Sequence, residues 1–237
     1  MLKAVLFDLD GTLLPLDQDV FTKTYIGAFV KKMSPYYAPE AFLNVLVRSL
    51  GEVTKNDGSK TNEEVITECF VDELGSGILD RMSVIREFYE RDFEGVRAVC
   101  GFDSDSVKTV KMAKDMGMKV ALATMPVFPR VATESRMRWA GLDWEDFDLV
   151  TTYENSSYCK PDPKYYVDVA ERLGVSPEEC LMVGNDTLDD MAAEEVGMKV
   201  FLLTDNLLNR EGKDITRYPR GGFKELLTYI INNFRDF

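Results

Sequence analysis

A doubly wound α/β sheet with helices inserted after its first strand is the fold class that three features of this 237-residue chain predict. Short apolar runs rich in strand formers recur along it. Helical patterns closed by glycine alternate with those runs, which implies βα units and a parallel sheet. Between Val20 and Phe93 the pattern is helical throughout, with no strand-like run.

The elements follow in order. Residues 3–8, KAVLFD, read as a buried strand that stops at the turn chemistry of Asp10-Gly11-Thr12. Residues 16–92 read as about four helices. Phe42, Val45, Leu46 and Leu50 recur at helical spacing, as do Ile78, Met82, Ile85, Phe88 and Tyr89, and polar residues at Lys55–Lys60 break the pattern. A helix is expected over 104–116, with serine or aspartate available as N-cap and Gly117 beyond its end. Strands are expected over 118–124, 147–151, 180–184 and 198–204. Helices are expected over 129–140, 163–173 and 187–196, each ending before a glycine. Right-handed crossovers between such units give a doubly wound core. The expected division is a catalytic α/β core of residues 1–15 and 93–237, with residues 16–92 as a smaller helical domain.

Composition narrows the function. The chain carries 28 Lys+Arg against 41 Asp+Glu, a formal net charge of −13, and no histidine. Without imidazole there is no Ser-His-Asp or Cys-His catalysis and no His-ligated zinc. An acidic chain lacks the basic face that nucleic-acid binding needs. Cys69, Cys100, Cys159 and Cys180 form no CxxC pair and read as free buried thiols. The apolar opening run is short and ends in aspartate, unlike a signal peptide, and no stretch reaches the length of a membrane span. The expectation is a cytoplasmic protein with neither a nucleic-acid nor a membrane partner.

Open α/β sheets bind ligands outside the carboxyl ends of their strands. Strand one delivers Asp8 and Asp10 there, and strand two delivers Thr124. Lys160 follows strand three, and Asn185, Asp186, Asp189 and Asp190 follow strand four. Singly, each has a plainer reading. The DxDG is a turn, Thr124 a solvated strand end, and Lys160 a surface charge. Asp186 and Asp190 would be the N-cap and first-turn acids of a helix. Jointly, they place several carboxylates, a hydroxyl and an ammonium at one sheet edge. A hard divalent cation with oxygen ligands relieves the repulsion, and Mg²⁺ suits a few carboxylates plus water and a substrate phosphate.

Phe7-Asp8-Leu9-Asp10-Gly11-Thr12-Leu13, followed by Thr124, Lys160 and the Asp186/Asp190 pair, resembles the motif set of the haloacid dehalogenase-like superfamily. The helical insertion resembles that family's C1-type caps. The resemblance implies a Mg²⁺-dependent phosphohydrolase acting on a small-molecule phosphate ester through an aspartyl phosphate. Asp8 resembles the nucleophile and Asp10 the general acid and base. Asp8, the Asp10 carbonyl and Asp186 would hold the metal. Thr124, Met125 and Lys160 would meet the phosphoryl group, and Asp190 would support the metal site or orient Lys160. Two positions depart from the pattern. Met125 and Pro126 follow Thr124 where a small polar residue is common. Asn185 precedes Asp186, so either could be the ligand, and the carboxylate binds Mg²⁺ better. A phosphomutase, or a silent phosphate-binding protein, are the alternatives. Of the residues after strand two, Arg130 lies near the edge and Trp139 has core spacing, whereas Arg136 and Arg138 receive no role.

Overall fold

The computed structural model describes residues 2–234. Six strands form one parallel sheet: β1 (Ala4–Phe7), β2 (Lys119–Leu122), β3 (Leu149–Val150), β4 (Cys180–Gly184), β5 (Lys199–Leu203) and β6 (Arg220–Gly221), in the order β3-β2-β1-β4-β5-β6. β1 is thus central, with Phe7 opposite both Leu122 and Val183. Its strand-end neighbours continue the ladder. The Asp8 amide donates to the Val183 carbonyl at 2.9 Å, and the Ala123 amide to the Phe7 carbonyl at 2.7 Å.

Alternation along each strand builds two cores. Val5, Phe7, Leu122, Val183 and Phe201 face one side, against α5 (Ser104–Asp115) and α8 (Phe223–Phe234). Ala4, Leu6, Ala121, Met182 and Leu202 face the other, against α7 (Pro163–Leu173). Near-continuous apolar strands buried on both faces are what a parallel sheet requires. α6 (Arg130–Trp139) adds Ala132, Met137 and Trp139 to the first core.

Between β1 and β2 lie α1 (Gln18–Met33), α2 (Pro39–Val53), α3 (Asn62–Leu74) and α4 (Met82–Glu90), with 3₁₀ segments over Ser76–Arg81 and Asp92–Val99. Their starts are chemically marked. The Asp17 carboxylate caps α1, and Thr61 with Glu64 forms a capping box on α3. An aromatic seam runs through them to Phe128 and Trp139 beside the sheet. Phe29 stacks on Phe88 at 4.5 Å, Tyr25 meets Phe128 at 5.0 Å, and Phe93 stacks on Trp139 at 5.2 Å. The chain enters and leaves this region side by side. Leu16 bridges Cys100, and the Gly101 amide donates to the Pro15 carbonyl at 2.6 Å.

Two expectations are corrected. Residues 187–196 are not one helix. Turns cover the start, and a 3₁₀ segment spans Met191–Val196. The Asp186 carboxylate takes the amides of Leu188 and Asp189 at 2.7 and 3.2 Å, a local turn that competes with an α-helical start. The sheet also has a sixth strand, β6, beyond the five expected.

Candidate active site

The site grows from the tip of β1. Asp8 is the first residue past the strand and is almost buried. The Lys160 ammonium lies 2.8 Å from Asp8 Oδ1 and 2.7 Å from Asp190 Oδ1. Both partners of that second bond are within 2% of full burial. Burial pulls the Lys160 ammonium down, but Asp190 and then Asp8 outweigh it and hold it well above its ordinary value. The same burial pushes the Asp190 carboxyl up, against Lys160, with the Asp8 charge adding to the rise. One cation therefore sits between two carboxylates in a dry setting, where charge interactions are strong.

Asp190 reaches Lys160 across Gly184. A Cβ at that glycine would collide with the Asp190 carboxylate, so only glycine leaves the passage open. The other Asp190 oxygen accepts the Asp186 amide at 2.9 Å. Asp186 is half-buried, four positions before Asp190. Asn185 is otherwise employed. Its Oδ1 accepts from the Thr12 hydroxyl at 3.0 Å, and its Nδ2 donates to the Asn206 carbonyl at 2.7 Å. It also presses on Gly11, whose φ of +81° and lack of a Cβ both suit glycine there. Asn185 thus fastens the loop that carries Asp8 and Asp10.

Thr124 follows β2. Its hydroxyl is buried without a partner, while its carbonyl accepts from the Tyr165 hydroxyl at 2.8 Å and the Thr151 hydroxyl at 3.0 Å. The backbone is held, and the hydroxyl remains available to a ligand oxygen. Met125 is half-buried beside it and offers only a thioether.

Asp10 shows what the sequence did not mark. Its Oδ2 is ion-paired with Arg136, and its Oδ1 is buried without a partner. Arg136 is fully buried on α6. It donates to the Thr133 hydroxyl at 3.3 Å and lies 4.1 Å over the Phe128 ring. Burial pushes the Asp10 carboxyl up. Arg136 opposes that rise, and the neighbouring Asp8 charge adds to it. The readable sign was small: Ala132, Arg136 and Ala140 share one buried stripe at i, i+4 spacing, and alanines leave room for a guanidinium. Asn62 is the second such residue. It opens α3, is fully buried, and donates from Nδ2 to the Pro126 carbonyl at 3.0 Å, tying the inserted helices to the loop after Thr124.

The donor set can be tested against a cation. Among the described residues no three His, Cys, Asp or Glu side chains converge to hold a metal by themselves. Mg²⁺ does not require that, since it is commonly held by one or two carboxylates with water and phosphate oxygens completing the shell. Asp8 and Asp186 supply two carboxylates near the β1 tip, and the Asp10 main chain supplies a carbonyl. The donors are all oxygen, and the partnerless Asp10 Oδ1 and Thr124 hydroxyl mark polar capacity unmet by protein. The set fits a hard cation with an oxyanion.

Known proteins resemble this chain in sequence and in structure. Pyrophosphatase PpaX from Bacillus cereus (strain AH820) is 27% identical over 209 residues, covering 88% of this chain and 86% of PpaX. A HAD phosphatase from Thermococcus onnurineus has a similar structure, with a TM-score of 0.57 at 22% identity over 97% of this chain and 98% of that one. CbbY from Rhodobacter sphaeroides in complex with phosphate gives a TM-score of 0.59 at 20% identity over 95% of this chain and 96% of CbbY. At those identities the two structures speak for the fold. A family model described as haloacid dehalogenase-like hydrolase matches residues 2–197, from just before β1 to the glycine that closes the last acidic segment. With that match over most of its length, and with Asp8, Thr124, Lys160 and an acidic pair following strands of one sheet, this chain belongs to the haloacid dehalogenase-like hydrolases.

Proposed function

We propose that the protein hydrolyses a small-molecule phosphate monoester through an aspartyl phosphate on Asp8, with Mg²⁺ as cofactor. The observation that carries this reading is the buried Asp8–Lys160–Asp190 contact beside the partnerless Thr124 hydroxyl. The names of relatives such as pyrophosphatase PpaX agree with phosphoryl chemistry. Residues 1–15 and 93–237 form the catalytic core in this proposal, and residues 16–92 act as a cap over it.

The steps balance on this chain's own groups. An Asp8 oxygen attacks phosphorus in line, and the bond to the ester oxygen breaks. Asp10, whose carboxyl is raised by burial, gives its proton to the departing oxygen. The oxygen that would carry this proton is Oδ1, which has no partner, while Oδ2 stays with Arg136. Asp10 then takes a proton from water as that water attacks the acyl phosphate, which frees inorganic phosphate and restores Asp8. Lys160 pairs with Asp8 and balances phosphoryl charge, while Thr124 donates to a phosphoryl oxygen. Bound Mg²⁺, held by Asp8, the Asp10 carbonyl and Asp186, would neutralise charge on the phosphoryl oxygens.

Phosphate release from monoesters is the direct measurement. Activity is expected with Mg²⁺ and lost with EDTA. Asp8→Asn is expected to lower kcat by about a thousandfold or more. Turnover that survives Asp8→Asn would overturn the assignment of the nucleophile. Conversion of a hexose 1-phosphate to its isomer without phosphate release would mark a mutase instead.

A further inference from the structure

The aromatic seam borders a partly open cavity. This cavity, of about 170 Å³, lies between α1, α2, α3, α4 and the loop that leaves β2. Phe21, Tyr25, Leu46, Phe70, Ile85 and Phe128 make much of its wall, and no Lys, Arg, Asp or Glu lines it. The tyrosine hydroxyls that face it stay neutral: burial pushes the Tyr25 phenol up to about 12, and its oxygen is 2.8 Å from that of Tyr89. An apolar cavity of about 150 Å³ stays dry and takes up a benzene-sized molecule. The space is therefore right for one ring or a short alkyl chain. Its uncharged polar groups, Gln18, Thr22, Ser49 and Thr67 with the tyrosine hydroxyls, are outnumbered by apolar side chains, which favours an apolar guest over a sugar.

Its place ties it to the chemistry. Val127 and Phe128 line it and follow Thr124 by three and four residues on the same loop. Gln18 and Phe21 line it and begin the helix that the Asp8–Asp10 segment feeds. Phe128 has Tyr25 on one side and the Arg136 guanidinium 4.1 Å from its ring, and Arg136 holds Asp10. The cavity is thus linked to the Asp10 end of the site through Phe128 and Arg136, while Asp8, Asp10, Thr124 and Lys160 do not themselves line it. A second cavity shares Met82, Ile85, Tyr89 and Tyr153 with the first. It carries Glu63, Glu90, Glu134 and Glu154 against only Arg86 and Arg130. That excess of negative charge disfavours a second phosphate at the far end.

We propose that the cavity receives the leaving group of the substrate, and that this group is an uncharged apolar alcohol of about six to eight carbons. The inference rests on the phosphohydrolase reading above and adds the substrate class to it.

The test is a series of linear alkyl phosphates from propyl to decyl, compared by kcat/KM with Mg²⁺ present. Leaving-group acidity is constant along such a series, so any trend reports burial. The expected result is a rise of about threefold per methylene up to hexyl or octyl, then a plateau or fall. A flat or falling series, or pyrophosphate or glycerol phosphate turned over better than hexyl phosphate, would overturn the inference while leaving the hydrolase reading intact. If neither these compounds nor acetyl phosphate release phosphate, the hydrolase reading fails. Calorimetry with 1-hexanol alone then decides: saturable binding with a negative heat-capacity change supports an apolar site, and its absence rejects one. Ser49→Phe, which fills the cavity from α2, is expected to cut the hexyl-to-propyl ratio by about tenfold. Should that variant not fold, Leu50→Trp at a partly exposed position is read the same way, and an unchanged ratio in the folded variant counts against the proposal.

Discussion

Arg136 carries a full charge with none of its surface in water, and its compensation comes from the Asp10 carboxylate, the Thr133 hydroxyl and the Phe128 ring face. Removing one partner of such a pair strands the other. Arg136→Met is therefore expected to destabilise the fold by about 3–5 kcal/mol. Adding Asp10→Leu should recover much of that loss, since an apolar pair needs no solvation. Urea unfolding of the single and double variants measures both, and equal midpoints for wild type and Arg136→Met would contradict the account. The contrast with Lys160 shows what a sequence can reveal at this scale. Asp8, Thr124 and Lys160 were readable because each follows a buried strand, so the fold's geometry sends them to one edge. Arg136 sits in mid-helix among Arg130 and Arg138, and periodicity alone does not say which of three arginines faces inward. Asn185 and Asp186 stood as rivals in the sequence. Their side chains take different partners: the amide of Asn185 braces the Thr12 turn, and the carboxylate of Asp186 stays half-exposed.

Elements meet at a few chemically specific joints, and Asn62 makes one of them. Its side chain bonds Pro126, and its amide donates to the Ser156 carbonyl at 2.8 Å, while the Glu63 amide donates to the Tyr153 carbonyl at 3.0 Å. The start of α3 is thereby stitched to both loops that flank the site. Asn62→Ala leaves the Pro126 carbonyl buried and short of a donor, a loss of about 1–3 kcal/mol. Faster hydrogen exchange at the start of α3 and a raised KM are the expected signs. An unaltered exchange pattern would argue that the joint is held by packing alone. Most elements could be read beforehand because apolar runs and closing glycines punctuate them. β3 proves only two residues long, and β6 has no apolar run to announce it. α8 does carry a helical signal in Phe223, Leu226 and Ile230, outside the span of the five expected strands. The segment after β4 defeated helical periodicity because Asp186 and Asp190 spend their side chains on nearby amides and on Lys160.

Across the whole molecule the charge is −13, and phosphate monoesters are anions. Long-range repulsion slows their approach, and salt screens it over about 8–10 Å at physiological strength. The kcat/KM for an alkyl phosphate is therefore expected to rise, by about twofold, between 10 and 150 mM added salt at fixed Mg²⁺. A steep fall with salt would show instead that local cations dominate the approach. The strand order has a different consequence. Both rims of the sheet, β3 and β6, are two-residue strands, and neither touches β1. Short rims resist unwanted edge-to-edge pairing with other chains. Where a fused peptide or a neighbouring molecule does add itself at either rim, at least one intact strand still separates it from β1 and Asp8, so self-association of that kind and turnover can vary independently.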